Sequence, residues 1–221
     1  MRIALIGNGK TGGAFRELAQ TRHEVSVFSS RLPCTRKDLD AADAAVVFVP
    51  AAGLADLLPL LRELRRPVVC GTTGFEFDRV FDVASPWIVA SNFSIGMNAT
   101  FLMAKLLARL PAFAPARFHV HEVRHVTKKD APSGTALRLQ SLLPAGSTIS
   151  ADRLGDAKGL HTLKVDLPGE TIHLEHEAHD RSVFAAGALH ALEQLIPGLA
   201  TGVHHFENLL ETSLRKELFR A

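Results

Sequence analysis

Residues 3–6, Ile-Ala-Leu-Ile, form an unbroken apolar run that ends in Gly7-Asn8-Gly9-Lys10-Thr11-Gly12-Gly13. Ala14, Phe15, Leu18 and Ala19 then mark one face of a helix. A continuous apolar strand is what a parallel sheet covered on both faces requires. Between such a strand and a helix, each glycine has a mechanical reason. The first makes a tight turn, the second lets backbone approach a pyrophosphate, and the third lets the helix pack on the strand. The pattern predicts the opening unit of a dinucleotide fold, with Gly7, Asn8, Gly9, Lys10, Thr11 and Gly12 at the phosphates. Gly13 competes with Gly12 for the third role.

Strands and helices then alternate as far as residue 93. The predicted strands are Glu24 to Phe28, Asp43 to Val49, Pro67 to Cys70 and Trp87 to Ala90, with a leucine-marked helix over Leu54–Leu64. Such alternation argues for a Rossmann-type, doubly wound parallel sheet. After the second strand, where NAD-preferring folds place a carboxylate for the ribose 2′-OH, this chain has Ser29-Ser30-Arg31. Hydroxyls and a guanidinium suit a 2′-phosphate. Ser30 and Arg31 therefore direct the expectation to NADPH, with NADH as the second nucleotide.

Past Gly96 the pattern changes. A helix marked by Leu102, Met103, Leu106, Leu107 and Leu110 leads to a strand over Phe118–Val123. His161 to Val165 and Thr171 to His176 read as a hairpin around Pro168-Gly169. These elements imply a second, α+β domain with a mixed or antiparallel sheet. The expected division is residues 1–93, completed by a helical tail over 197–221, and residues 94–196. Arg124-His125-Val126-Thr127-Lys128-Lys129-Asp130-Ala131-Pro132-Ser133-Gly134-Thr135-Ala136 gathers basic side chains directly before a helix start. The first amides of a helix lack internal partners and sit at the positive end of its dipole. The run reads as a seat for a small anion, a carboxylate.

Composition excludes more than it assigns. A net charge of +2 with 22% charged residues makes no case for nucleic acid or a membrane surface. Cys34 and Cys70 have neither metal spacing nor the density of a disulfide framework, so no metal is expected and a reducing cytoplasm is. No signal-peptide pattern opens the sequence, and no apolar run approaches the roughly 20 residues of a membrane helix.

The central run resembles the signature of the dihydrodipicolinate reductases of lysine biosynthesis, which is two adjacent His, then a Lys, then Asp-Ala-Pro-Ser-Gly-Thr-Ala. Lys128, His125 and Asp130 to Ala136 match it; Arg124 stands at the first His. Gly71-Thr72-Thr73-Gly74 and Asn92-Phe93-Ser94-Ile95-Gly96 are similar to the same family's loops beside the nicotinamide and at the interdomain hinge. The resemblance implies NAD(P)H-dependent reduction of a cyclic dicarboxylate to tetrahydrodipicolinate, in a homotetramer built through the second domain. It implies Lys128 as proton donor, with Arg124 beside it at a position usually given an acid/base role. It also implies His125 and the Gly134 and Thr135 amides on the substrate carboxylates, and Gly71, Thr72, Thr73, Ala90, Ser91, Asn92 and Phe93 on the cofactor. A guanidinium keeps its proton at working pH, so Arg124 can only bind or stabilise negative charge. The alternatives are a reductase of another cyclic imine, or a non-catalytic sensor of NADPH and a dicarboxylate.

Overall fold

In the computed structural model, the opening apolar run becomes β1 (Arg2–Ile6) and the glycine turn delivers the chain into α1 (Lys10–Ala19). The structure describes residues 1–77, 82–126, 130–155, 157 and 159–218. In order there follow β2 (Glu24–Phe28), α2 (Arg36–Ala41), β3 (Ala44–Val47), α3 (Ala51–Arg62), β4 (Val68–Cys70) and β5 (Pro86–Val89). Next come α4 (Ile95–Arg109), β6 (Arg117–Arg124), α5 (Gly134–Ser141), β7 (Thr148–Arg153), β8 (Leu160–Leu167) and β9 (Glu170–Glu177). The chain closes with α6 (Ser182–His190), a π-turn over Ala191–Leu195, β10 (Gly202–His205) and α7 (Phe206–Leu218). It divides into two units, residues 1–95 with 181–221, and residues 96–180.

The first unit is a parallel six-stranded sheet in the order β10-β5-β4-β3-β1-β2. Side chains alternate across a strand, so Ile3 and Leu5 enter one core while Ala4 and Ile6 enter the other. Leu39 of α2 and Leu54 and Leu61 of α3 cover the second face. On the first face lie Phe15 of α1, Ala185, Ala188 and Leu189 of α6, and Phe206 and Leu210 of α7. The strand order reverses between β1 and β3, and ligands of open α/β sheets sit outside the strand carboxyl ends at such a switch point.

The structure departs from the expected division at residues 94–95 and 181–196, which pack in the first unit. A parallel sheet needs apolar cover on both faces, and α6 supplies part of it with small residues that allow close approach. At Gly187 an added Cβ would lie 1.7 Å from the Phe93 carbonyl oxygen. The tail also differs, because β10 intervenes before its helix and pairs with β5 in parallel, His205 opposite Val89.

In the second unit the sheet order is β7-β6-β8-β9, parallel between β6 and β7 and antiparallel elsewhere, hence mixed. Phe118 and Val120 of β6 and Leu163 and Val165 of β8 form a core with Met97, Phe101 and Ala104 of α4 and Ala136 and Leu139 of α5. Among the described residues no helix is long and apolar enough to cross a membrane.

The α6 contact generates a stability prediction. Gly187→Ala must move backbone and should cost about 1–3 kcal/mol. Gly13→Ala meets nothing within 4 Å and should be neutral or add roughly 0.5–1 kcal/mol through helix propensity. Urea unfolding of both variants checks the contrast.

Candidate functional site

At the carboxyl ends of β1, β2 and β3 lies a cleft of about 730 Å³, lined by Gly7, Asn8 and Gly9, by Ser29, Ser30 and Arg31, and by Phe48, Val49 and Pro50. Gly7 has a φ of +110°, and a Cβ there would lie 2.2 Å from the Phe48 carbonyl oxygen. The competition for the third glycine resolves sterically. A Cβ on Gly12 would be 1.9 Å from the Gly7 oxygen, whereas one on Gly13 meets nothing. Gly9 is the N-cap of α1, no side chain caps that helix, and nothing within 4 Å occupies the space beside its Cα. The arrangement fits a pyrophosphate, with Lys10, Thr11 and Gly12 contributing the first amides of the helix. Cys34 and Asp56 line the same cleft, and sequence reasoning did not pick them out. Burial pushes the Cys34 thiol up to about 11, with the charge of Asp38 adding to it, so it is not a reactive thiolate at neutral pH.

A second cleft, of about 520 Å³, lies at the ends of β4, β5 and β10 and is lined by Thr72, Ala90, Ser91, Glu76 and His205 among others. The loop residues expected at the cofactor separate here. Thr72 turns its hydroxyl inward to the Val49 carbonyl at 2.9 Å. Gly71 lies against Phe48, where a Cβ would meet the ring at 2.4 Å. Phe93 is buried in the core beside Phe206, and Asn92 accepts from the Ser94 amide at 2.9 Å. Thr73, Asn92 and Phe93 line neither cleft. Glu76 and His205 were not legible as site residues, since His205 belongs to a strand the sequence pattern did not announce.

In the second unit, β6 ends at Arg124, His125 follows, and Ser133 is the N-cap of α5. Thr127, Lys128 and Lys129 lie outside the described residues. The Arg124 guanidinium lies against Gly159, where a Cβ would be 2.6 Å from its Nη1. Ser133 Oγ accepts from the Ala136 amide, the third of the helix.

Beneath this helix start is a group that sequence reasoning missed. Glu122 has no exposed surface. Its carboxylate accepts from the Ser133 amide at 3.1 Å, from the Ser133 hydroxyl, and from Arg153 Nη1 at 3.1 Å. His161 Nε2 lies 3.3 Å away. Burial alone would push the Glu122 carboxyl up; the hydrogen bonds of His161 and Ser133 and the charge of His161 outweigh it and hold the pKa down at about 2. Across the hairpin from His161, His176 is held below the ordinary imidazole value by burial and then by His161. Among the described residues no three His, Cys, Asp or Glu side chains are grouped to hold a metal.

Comparison with known proteins gives this geometry a family. The model of the dihydrodipicolinate reductase C-terminus matches residues 96–210. The 4-hydroxy-tetrahydrodipicolinate reductase of Xanthomonas axonopodis pv. citri is 34% identical over 92% of this chain and 94% of its own. The chain belongs to the dihydrodipicolinate reductase family. A further reductase of that name, from Bdellovibrio bacteriovorus, is 34% identical over 74% of this chain and 76% of its own. The fold is shared with a dipicolinate-bound dihydrodipicolinate reductase from Paenisporosarcina, at a TM-score of 0.77 and 20% identity over 94% of this chain and 98% of that one. It is shared more distantly with aspartate semialdehyde dehydrogenase II of Vibrio cholerae, at a TM-score of 0.56 and 14% identity, over 90% and 99% of the two chains.

The depressed carboxyl gives a pH prediction for this reductase-family fold. Glu122 titrates at about 2 when folded against an ordinary 4.5, so the unfolded chain binds more protons between those values. Its stabilisation is complete above pH 4.5 and is lost as the pH falls towards 2. The gap in urea midpoint between the native chain and Glu122→Gln should therefore narrow across that window. A gap that stays constant contradicts the assignment.

Proposed function

We propose that this chain is an NADPH-using reductase of the cyclic dicarboxylate 4-hydroxy-tetrahydrodipicolinate or its dehydrated form, acting in lysine and diaminopimelate biosynthesis in the cytoplasm. One observation carries the reading. Ser133, within the run that matches the family signature, caps α5 through Ala136, and Gly134 and Thr135 open the helix, which supports an anion seat there. A substrate carboxylate there meets helix amides and the positive end of a dipole, and His125 holds the other carboxylate. When bound, NAD(P)H supplies the hydride that reduces the conjugated C=C–C=N system. Gly7, Asn8, Gly9, Lys10, Thr11 and Gly12 would hold its pyrophosphate, and Ser30 and Arg31 its 2′-phosphate. Of the loops at 71–73 and 90–93, Thr72, Ala90 and Ser91 line the second cleft, which would take the nicotinamide.

Lys128 donates the proton that completes the reduction. Arg124, His125 and Lys129 are its neighbours in the sequence. Arg124 stands where the family has a histidine and, unable to lose its proton, anchors negative charge. A homotetramer assembles through the second sheet.

Steady-state kinetics with freshly generated substrate test these roles. Lys128→Ala should lose about 10²–10⁴-fold in kcat, the usual worth of a positioned acid. Arg124→Ala should act chiefly through KM, because an anchor holds substrate and transition state alike. Arg124→His should retain turnover. A native chain that binds NADPH and the dicarboxylate without turnover, but turns over after Arg124→His, is a sensor and not a reductase. In the same assay NADPH should be preferred over NADH, and Arg31→Ala should narrow that preference by about tenfold or more, as expected for one charge-assisted phosphate contact.

A further inference from the structure

The strand pattern of β6 puts Phe118, Val120 and Glu122 on its buried face, two apolar residues and one ionised carboxylate. An uncompensated charge in that position is expensive, and the way it is compensated is specific. Two of its donors come from one residue, Ser133, through amide and hydroxyl. The hydroxyl proton is thereby committed to Glu122, which turns the oxygen's lone pairs to the Ala136 amide. The third donor, Arg153, uses Nη1 on Glu122 and Nη2 on the carbonyl of Asp130, the last residue before Ala131-Pro132-Ser133. One carboxylate therefore fixes the helix start directly and, through a single guanidinium, the loop that leads to it.

We propose that Glu122 is the positioning residue of the dicarboxylate seat, holding Ser133 and Arg153 so that the first turn of α5 is aimed before substrate arrives. The inference rests on the reductase reading and deepens it. Glu122 itself does not touch substrate; it lies behind the cap, paired with Arg153 and 3.3 Å from His161 Nε2. A glutamine there has one acceptor oxygen for three donors, and its NH2 group opposes the guanidinium or the imidazole. The consequence of that change is a cap free to rotate and a loop freed from Arg153.

The test is calorimetric titration of pyridine-2,6-dicarboxylate into the NADPH-loaded full chain, beside titration of NADPH alone. It compares the native chain, Glu122→Gln, Ser133→Ala and the double variant. Positioning requires dicarboxylate affinity to fall about tenfold in each single variant while NADPH affinity stays within about twofold. The double variant should be little weaker than either single one, because both substitutions break the same bond. Unchanged dicarboxylate affinity in Glu122→Gln, additive losses, or an equal loss of NADPH affinity overturns the proposal. Should Glu122→Gln fail to fold, Ser133→Ala carries the comparison, and unchanged dicarboxylate affinity there overturns it equally. If the native chain neither binds the dicarboxylate nor turns over substrate, the functional reading is what fails. Hydrogen exchange at the amides of residues 134–136 then decides the positioning role. Faster exchange in the variants supports it, and unchanged exchange overturns it.

Discussion

A parallel sheet must be covered on both faces, and most of the first unit follows from that requirement. β3 is buried along its whole length, as are the first-face residues of β1, β4 and β5. The helices between the early strands supply one face, and the other is completed by α6 and α7 from the far end of the chain. The cover must lie close, which explains glycine where helix meets backbone. Gly12 touches the turn after β1, and Gly187 touches the Phe93 carbonyl. The switch point and its cleft come from the same winding, since the two directions of travel part between β1 and β3.

The second unit solves a different problem. Its four-stranded sheet carries helices on one face, and into that core it admits an ionised group, Glu122. Replacing such a buried ionic cluster with apolar residues is often neutral or stabilising in proteins generally. Here it joins β6, β7 and the start of α5 by hydrogen bonds and lies 3.3 Å from His161 of β8. Those elements frame the family's signature loop.

Much of this is legible in the residues, and the exceptions have physical reasons. Strand boundaries such as Glu24–Phe28 read directly, because Val25 and Val27 alternate with polar residues at strand period. β7 did not, since Thr-Ile-Ser-Ala-Asp-Arg buries nothing fully. β10, Gly-Val-His-His, is a short edge strand whose partner supplies its order. The six-residue α2 buries one residue, Leu39, too few to show a helical period, although its Thr35–Asp38 capping box was there to be read. At the candidate site, the phosphate loop and the anion seat are local in sequence and so were visible. Asp56, Glu76 and His205 reach the clefts from elsewhere in the fold. Glu122 had a signal, a charged residue in phase with Phe118 and Val120, which periodicity alone marks as either an error or a site.

The position of β10 orders events in time. Its pairing partner β5 ends at Val89, yet β10 begins at Gly202, after the whole of residues 96–180. A ribosome releases those intervening residues first, and domains generally fold as units as they emerge. The inserted unit therefore has all its strands while the older sheet still lacks an edge and part of its apolar cover. During synthesis the nucleotide-type sheet begins first and finishes last.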